Sequence, residues 1–217
     1  MKVVALVPIK LHSERVKDKN KRLLGKHPLA FYVPETLSKV RGIDEIYIYC
    51  SDEEVKKYVP SNVTFLKRDA RLDGNTIKGK DIYSAFINEV DADIYILAHT
   101  TSPFLKVETI QKALDKVLSG EYDSAFSAKK IQTFIWYQGK TLNYNLNDVP
   151  RTQDIEPIYY ETSSFFIFKK EIFTEYGRRI GFKPYIQEVD NIESVDIDEP
   201  DDFAFASLLM KEKEKDE

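Results

Sequence analysis

The 217-residue chain contains a single cysteine, Cys50. One cysteine cannot form an internal disulfide, which excludes the small disulfide-stapled scaffolds and makes a reducing, cytoplasmic setting the default expectation. Cys50 ends an apolar run and has no histidine or acid beside it in a recognised catalytic arrangement. The sequence therefore favours a small core residue over a nucleophile at this position.

Long apolar runs are also missing. No stretch approaches the roughly 18 consecutive apolar residues that a membrane-spanning helix needs. The N-terminus enters a strand directly, without a signal-peptide pattern, so we expect no membrane partner. Charge outside one basic segment is acidic, which argues against a nucleic-acid partner.

Glycine-rich phosphate motifs are absent as well. The eight glycines form neither G-x-G-x-x-G nor G-x-x-x-x-G-K-[ST], so the dinucleotide-binding and P-loop fingerprints do not occur. Any phosphate must therefore be held by side chains more than by a glycine nest.

What the chain does contain is an alternation of short apolar runs with segments of helical period, typical of a doubly wound, mostly parallel α/β sheet. We predict one domain over residues 1–217, with ligands outside the carboxyl ends of its strands. The predicted strands cover residues 2–8, 46–50, 63–66, 94–98, 124–128, 163–170 and 192–197. The predicted helices cover residues 28–40, a segment after 51–52, 78–90, 106–119, 170–176 and a last segment from about 199.

The alternation breaks over residues 129–162. This segment contains Trp136, several tyrosines and the polar run NYNLND, and it fits no helical pattern. It predicts hairpins or irregular extended structure projecting from the sheet. Because an isolated hairpin is marginally stable in water, we expect this arm to pack on another subunit, as in a homodimer.

A basic loop follows the first strand. Residues 10–27 carry seven Lys or Arg against two acids, a local charge of +5 in a chain of formal net charge −4. At the carboxyl end of a first strand, such a loop is placed to hold an anion, most simply a polyphosphate. Lys19, Asn20 and Arg22 together suit a triphosphate and a base or ribose edge. The alternative is an ordinary solvated basic loop.

Two further segments carry polar groups suited to a site. In AHTTSPFL, residues 98–105, hydroxyl groups follow the fourth strand, although a plain strand-to-helix connection would look the same. In SVDIDEPDDF, residues 194–203, Asp196 and Asp198 fall on one face of a predicted strand end. Paired carboxylates suit Mg²⁺ when phosphate and water complete its shell. Alternatively, Asp198 caps the last helix, which would leave Asp196 unexplained.

Taken together, these segments resemble the CMP-N-acetylneuraminate synthetase family, the cytidylyltransferases that activate nine- and eight-carbon sugar acids. VPIKLHSERVKDKN followed by LLGKHPL resembles the family motif P-A-R-x-G-S-K-x-x-x-x-K-N with L-x-G-x-P-L. AHTTSPFL resembles L-Q-P-T-S-P-L, RTQDIEPIYYETSSFFIF resembles R-x-Q-x-x-P-x-Y with its following strand, and DIDEPDD resembles D-I-D-T/E-P-x-D. The matches occur in the family's order and span residues 3–203.

The resemblance implies a nucleotide-diphospho-sugar transferase type of fold, CTP as nucleotide, an acidic sugar as acceptor, Mg²⁺ as cofactor, and a homodimer whose arms reach the neighbouring site. It also implies roles for individual residues. The implied catalytic residues are Lys19, Asp196 and Asp198, with the two aspartates holding the metal. The implied nucleotide-binding residues are Lys10, Ser13, Asn20, Arg22 and Arg68. The implied acceptor-binding residues are His99, Thr101, Ser102, Arg151, Gln153 and Ser163.

The chain departs from the family pattern at several of these places. The first-motif arginine is Lys10, its small neighbours are Leu11 and His12, and a lysine is replaced by Glu14. His99 replaces a glutamine, and Ser163-Ser164 replaces Asn-Gly. The leading hypothesis is transfer of CMP from CTP to an N-acylneuraminate-like sugar. The alternatives are another acceptor (an ulosonate, a legionaminate-like sugar or a phosphonate), a nucleotide-binding homologue without turnover, and a structural subunit.

Overall fold

The computed structural model describes residues 1–215, so the last two residues of the predicted domain lie outside the described part. The strands are β1 (Val3–Pro8), β2 (Leu23–Leu24), β3 (His27–Pro28), β4 (Glu45–Cys50), β5 (Thr64–Lys67), β6 (Ile94–Ala98), β7 (Ser124–Ile131), β8 (Trp136–Tyr137), β9 (Lys140–Thr141), β10 (Ile158–Lys169) and β11 (Pro184–Glu188). The α-helices are α1 (Leu29–Leu37), α2 (Gly79–Glu89), α3 (Val107–Leu118), α4 (Lys170–Tyr176) and α5 (Pro200–Lys213).

Seven strands form the central sheet, in the order β11-β7-β10-β6-β1-β4-β5. Every neighbouring pair is parallel except those made by β10, which runs antiparallel to both β6 and β7. The predicted doubly wound, mostly parallel α/β fold is therefore confirmed.

Helices cover both faces of this sheet. Alternate residues of β1 point to opposite sides, so that Ala5 belongs to the apolar cluster that includes α1 and α3, whereas Leu6 belongs to the cluster that includes α2 and α4. Burial on both faces explains why β1 and β6 are almost continuously apolar. None of the helices within residues 1–215 is long and apolar enough to cross a membrane.

The strand order creates a crevice between β1 and β6. After β1 the chain moves outward to β4 and β5, and it then returns to place β6 on the other side of β1. The loops that follow β1 and β6 therefore diverge, which opens a cleft at their carboxyl ends. The basic loop and the hydroxyl-rich segment follow these two strands, so the fold brings them together.

A third apolar cluster attaches the C-terminal segment to the basic loop. Val16 and Leu24 of the loop region pack with Ile197, and with Phe203 and Met210 of α5. Burial of these side chains holds residues 194–199 beside the loop, although Lys19 and Ile197, which meet there, are 178 positions apart in the sequence.

The predicted strand over residues 192–197 is wrong. Turns occupy residues 191–194, and the edge strand is β11, which pairs parallel with β7. The apolar positions Val195 and Ile197 reflect packing in the third cluster instead of strand pairing. Strand β11 gives no clear sequence signal because its buried side chain is the polar Gln187, whereas Ile186 is exposed.

Two other boundaries differ from the prediction. The segment after residues 51–52 is a 3-10 helix over Glu53–Lys57, capped by Asp52, whose carboxylate accepts from the Glu54 amide at 2.9 Å. Strand β10 starts at Ile158 instead of 163, because it continues the ladder with β7 beyond a bulge. The part of the predicted arm that leaves the sheet is therefore residues 132–157, and it contains the β8–β9 hairpin.

Candidate active site

A cavity of about 510 Å³ opens at the carboxyl end of β1. Its walls come from the basic loop, the segment 68–77 after β5, the start of α2, and His99 after β6. The lining residues are Pro8, Ile9, Lys10, Ser13, Glu14, Arg15, Val16, Lys19, Arg68, Leu72, Asp73, Gly74, Asn75, Ile77, Ile82, Tyr83 and His99.

Hydrogen bonds within the basic loop fix its shape. The Ser13 hydroxyl donates to the Val16 carbonyl at 2.6 Å and accepts from the Lys19 amide at 2.8 Å. Asp18 adopts a left-handed conformation with φ of 52°, which turns the chain into the 3-10 helix Lys19–Lys21. Ser13 thus closes the turn that places Lys19 on the cavity wall.

Asn20 ties this loop to the loop after β6. Its side chain is buried, donates to the Lys10 carbonyl at 2.9 Å, and accepts from the Thr100 hydroxyl at 2.7 Å. Because both of its polar ends are satisfied by the protein, Asn20 holds the two walls of the crevice in register.

The basic loop and the C-terminal carboxylates meet beside the cavity. Lys19 and Arg15 line it, whereas neither Asp196 nor Asp198 belongs to its described lining. Lys19 Nζ lies 2.6 Å from the Ile197 carbonyl oxygen and 3.3 Å from Asp198 Oδ1. Arg15 bridges Asp198 at 3.0 Å and Glu199 at 3.3 Å. The amides of Asp198 and Glu199 donate to Asp202, and Glu199 is the N-cap of α5, so the alternative in which Asp198 caps the helix is wrong.

One carboxylate oxygen of Asp196 lacks a hydrogen-bond partner within residues 1–215. Its Oδ1 is buried without a hydrogen-bond partner among the described residues, while its carboxylate accepts a bond from Thr101. Burial raises the pKa of Asp196, and the nearby charge of Asp198 raises it further.

This arrangement fits a divalent cation. An unpaired buried carboxylate oxygen beside a second carboxylate is stabilised by a cation between them. The described residues contain no group of three or more His, Cys, Asp or Glu that could hold a metal. Two protein carboxylates suffice for Mg²⁺ when phosphate oxygens and water supply the remaining ligands.

Arg68 forms part of the cavity wall. Its side chain is 2% exposed, donates to the Tyr49 and Ile9 carbonyls at 3.1 and 2.9 Å, and pairs with Asp73 at 2.5 Å. These bonds join β4, the end of β1 and the segment after β5. The structure therefore gives Arg68 a positioning role next to the cavity.

We expect Arg68→Met to lower the free energy of unfolding by about 3 kcal/mol, because it leaves a carboxylate and buried carbonyls without their donor. Arg71→Gln is the matched control: Arg71 is exposed and pairs with Asp69, so its loss should change stability by less than ~1 kcal/mol. Urea unfolding of both variants measures the difference. Equal effects would contradict a structural role for Arg68.

His99 lines the cavity after β6. Its Nδ1 lies 2.6 Å from the Ser163 carbonyl oxygen and its Nε2 lies 3.5 Å from the Tyr83 hydroxyl. Ser163 has a φ of 57° and sits in the bulge of β10, which directs that carbonyl at the ring. Burial lowers the pKa of His99, so the imidazole is neutral and Nδ1 donates to the carbonyl.

Several predicted site residues lie away from the cavity lining. Arg22 is exposed and its guanidinium stacks 4.2 Å from the Phe203 ring centroid, so it lies outside the cavity lining to which Lys19 belongs. Arg151 is exposed on the projecting segment, where it pairs with Asp154 at 2.7 Å, and Gln153 is exposed beside it. Within the described chain, neither of these two residues lines the cavity.

Thr101 and Ser102, the two hydroxyl residues after β6 that were predicted to bind the acceptor, lie outside the described cavity lining. Thr101 bonds Asp196, and its carbonyl accepts from the Ile197 amide at 2.9 Å. Ser102 is fully buried and its hydroxyl has no partner among the described residues. Thr101 thus connects β6 to the carboxylate pair, whereas the contacts of Ser102 do not explain its hydroxyl.

Several cavity residues were not predicted from the sequence, among them Tyr83 and Asn75. Tyr83 reaches the cavity from α2, and Asn75 accepts from Lys10 at 3.0 Å and donates to Glu14 at 2.8 Å. Tyr83 follows the apolar period of its helix and carries no signal beyond that. Asn75 lies in the segment 68–77 after β5, where the family resemblance implies a role for Arg68 alone.

A family model described as "Cytidylyltransferase" matches residues 4–216 of this chain. The chain belongs to the cytidylyltransferase family. The resemblance found in its motifs is thereby confirmed across nearly the whole sequence.

The relatives of this cytidylyltransferase are named for different sugar acids. The N-acylneuraminate cytidylyltransferase of Streptococcus agalactiae serotype V is 23% identical over 99% of this chain and 56% of its own length. The CMP-N,N'-diacetyllegionaminic acid synthase of Legionella pneumophila is 25% identical over 97% of both chains. The chain thus spans about half the length of the N-acylneuraminate cytidylyltransferase relative. It spans nearly the full length of the Legionella pneumophila relative.

A solved structure confirms the fold. The structure of CMP:2-keto-3-deoxy-manno-octonic acid synthetase complexed with CTP aligns with a TM-score of 0.71, at 14% identity, over 98% of this chain and 100% of its own. At this identity the likeness establishes the cytidylyltransferase type of α/β fold and no more.

The departures of this chain from the cytidylyltransferase motif have structural explanations. Leu11 is buried in the core and does not line the cavity, so it does not crowd a ligand there. His12 is exposed and contacts Asp18 at 3.4 Å, also outside the lining. Glu14 does line the cavity, and its bond from Asn75 draws its carboxylate toward the segment after β5.

Proposed function

We propose that this protein transfers CMP from CTP to a hydroxyl group of an acidic sugar, with release of pyrophosphate. One observation carries the proposal: Lys19 Nζ, on the wall of a 510 Å³ cavity, lies 3.3 Å from Asp198, the second acid of the D-I-D segment. This contact supports the proposal because a cation suited to a polyphosphate lies beside a carboxylate suited to its counter-ion.

The proposed chemistry is a displacement at phosphorus. The oxygen of the acceptor hydroxyl attacks the α-phosphorus of CTP and its proton is released to water, while the bond to the bridging oxygen breaks and pyrophosphate leaves. Such transfer requires positioning and charge neutralisation more than covalent catalysis. Lys10, Arg15 and Lys19 contribute positive charge to the cavity wall, and they would stabilise the charge that develops on the leaving group.

Asp196 and Asp198 are the residues that would hold Mg²⁺. When bound, Mg²⁺ would supply positive charge to the phosphate oxygens and lower the pKa of a coordinated hydroxyl. Thr101 orients Asp196 through its hydrogen bond, and Lys19 and Arg15 orient Asp198. These contacts orient both carboxylates in the absence of a ligand.

For the acceptor, we propose an N-acylneuraminate-like acid. Support comes from the Streptococcus agalactiae relative and from a 26% identical Danio rerio relative named N-acylneuraminate cytidylyltransferase A, which aligns over 90% of this chain and 48% of its own length. The Legionella pneumophila relative favours a legionaminate-like acid as the second candidate, because the aligned segment covers that enzyme almost entirely.

The test is a pair of measurements. Thermal shift with CTP, ATP, GTP and UTP, with and without Mg²⁺, should show the largest stabilisation with CTP plus Mg²⁺. Pyrophosphate release should then be followed with CTP and N-acetylneuraminate, N,N'-diacetyllegionaminate or 3-deoxy-manno-octulosonate. Stabilisation by CTP without pyrophosphate release on any acid would favour a nucleotide-binding homologue, and no stabilisation by any nucleotide would overturn the proposal.

We also propose that the protein is a homodimer assembled through residues 132–157. Five large apolar side chains in this segment are each more than half exposed: Trp136, Tyr137, Leu142, Leu146 and Val149. A concentration of exposed aromatic and aliphatic residues is typical of an interface. The dimer would also give Arg151 and Gln153 a route to the neighbouring cavity.

Trp136→Ser and Leu146→Ser should each weaken dimerisation at least about 10-fold, because aromatic and aliphatic anchors at the centre of an interface carry most of its energy. Leu208→Ser is the control, since Leu208 is 61% exposed on α5, outside the arm. Sedimentation equilibrium, with a chain mass of 25.2 kDa, measures the shift. A wild-type protein that sediments as a monomer at high concentration would refute the dimer.

A further inference from the structure

A loop between α4 and β11 brings an arginine beside the cavity-lining residue Tyr83. Asp123 anchors this loop by accepting from the amides of Phe182 and Lys183 at 2.7 and 2.9 Å. The Gly181 amide donates to the Ser124 hydroxyl at 2.8 Å. These bonds to the start of β7 fix the backbone two residues after Arg179.

The contacts of Arg179 orient its guanidinium. The group lies 3.8 Å from the centroid of the Phe166 ring, and its charge acts on the nearby Tyr83 hydroxyl. Stacking on an aromatic face holds the plane of a guanidinium while its N–H edges remain available for a second partner. The Tyr83 hydroxyl in turn faces Nε2 of His99, and both of these residues line the cavity.

The acidic partner of Arg179 is weakly engaged. Glu161 Oε2 lies 3.6 Å away and its side chain is 44% exposed, so water screens this pair. By comparison, Lys19 and Arg15 share Asp198, and Arg68 pairs with Asp73 at 2.5 Å. Arg179 therefore keeps most of its capacity to bind an anion.

The electrostatic surroundings also favour an anion beside Tyr83. His99 is neutral because burial lowers its pKa, so it neither repels Arg179 strongly nor competes for an anion. The lysines and arginines of the basic loop belong to a different wall of the cavity. The site thus has two positive regions, one larger and formed by the loop, and one formed by Arg179 beside Tyr83.

We propose that Arg179 binds the carboxylate of the acceptor sugar acid and is a specificity-determining residue of the protein. This rests on the proposed function. The phosphates occupy the basic loop, and the acceptor lies toward Tyr83 and His99 with its carboxylate on the guanidinium edge. A planar carboxylate can accept two parallel N–H bonds from arginine, which neither an ester nor a neutral sugar reproduces.

The experiment compares an acid with its ester in wild-type and variant proteins. N-acetylneuraminate and its methyl ester serve as acceptors, and pyrophosphate release is followed at saturating CTP. Wild type should use the acid with a kcat/KM about 10- to 100-fold above that of the ester, because a charge-assisted pair is lost with the ester. Arg179→Gln should lose that discrimination, mainly by a higher KM for the acid, while CTP binding measured by calorimetry stays unchanged.

Two further variants separate specific binding from general damage. Arg179→Lys keeps the charge but not the fork, so it should retain a few-fold preference for the acid. Arg178→Gln is the matched control, because Arg178 stacks on Phe182 and donates to the Gly181 carbonyl within the same loop. It should keep the wild-type discrimination.

The outcomes distinguish this inference from the proposed function. Absence of pyrophosphate release with every acid tested would defeat the proposed function itself. Turnover of acid and ester at equal kcat/KM by wild type would overturn the role of Arg179 without any variant. Retention of the preference in Arg179→Gln would overturn it equally, and so would its loss in both Arg178→Gln and Arg179→Gln, which would indicate a disturbed loop.

Discussion

Replacing Asp196 by asparagine should lower kcat for pyrophosphate release by about 100-fold or more, a cost of ~3 kcal/mol in transition-state stabilisation. The reason is that asparagine keeps the shape and the bond from Thr101 but removes the charge that would hold Mg²⁺. Steady-state kinetics at saturating CTP, N-acetylneuraminate and Mg²⁺ provide the measurement.

The same substitution should have the opposite effect on the metal-free fold. Asp196 is half-buried, with a buried Oδ1 unpaired in the described chain, and it lies near the charge of Asp198. A neutral amide removes both the desolvation cost and the repulsion. Without added Mg²⁺, Asp196→Asn should therefore unfold at the same or a higher temperature than wild type. Added Mg²⁺ with CTP should then stabilise wild type markedly more than the variant.

Asp201→Asn provides the control for both readouts. Asp201 lies in the first turn of α5 and is exposed. Its loss should reduce stability by only about a few tenths of a kcal/mol through the helix dipole and leave kcat unchanged. Wild-type turnover by Asp196→Asn would contradict a role for this carboxylate in catalysis. A clear loss of metal-free stability would show that the carboxylate has a structural role.

The elements that can be predicted from the sequence are those whose residues follow one clear pattern of hydrophobicity. Buried parallel strands such as β1 and β6 are continuous apolar runs, and α3 shows a strong helical period, so the predicted bounds of all three agree with the structure within a residue or two. The prediction fails at β11 because this strand lies at the sheet edge, with its neighbour β7 on one side only. Burial there does not force an apolar alternation.

The candidate site is predictable where chain topology fixes it. Loops that follow β1 and β6 must meet at the switch point, and Lys10, Lys19, Asn20 and His99 do lie there. The approach of Asp198 cannot be derived from local pattern. It depends on the packing of Ile197 in the third apolar cluster.

The sequence gives no comparable signal for residues whose positions depend on tertiary contacts. Arg22 looks equivalent to Lys19 in the sequence, but it lies at the extended C-cap of the 3-10 helix, where its guanidinium stacks on Phe203. Arg179 has no motif around it. Its relation to the cavity depends on the anchoring of its loop to Asp123 and on the ring of Phe166.

Lys19→Met should reduce kcat by about 100- to 1,000-fold, because it removes a preorganised charge from the site proposed for the departing pyrophosphate. The Lys19 side chain is 13% exposed, and the Ile197 carbonyl and Asp198 hold its ammonium in position, so water replaces it poorly. Since the charge on the leaving group grows during bond cleavage, kcat should fall more than KM for CTP rises.

Lys21→Met is the matched control for this substitution. Lys21 belongs to the same 3-10 helix, carries the same charge, and pairs with Glu54 at 3.5 Å, outside the cavity lining. Its loss should change kcat by less than about threefold, because a screened cation remote from the phosphates contributes little. Similar losses in both variants would mean that the basic loop acts through its net charge, and the assignment of Lys19 to the leaving group would then be wrong.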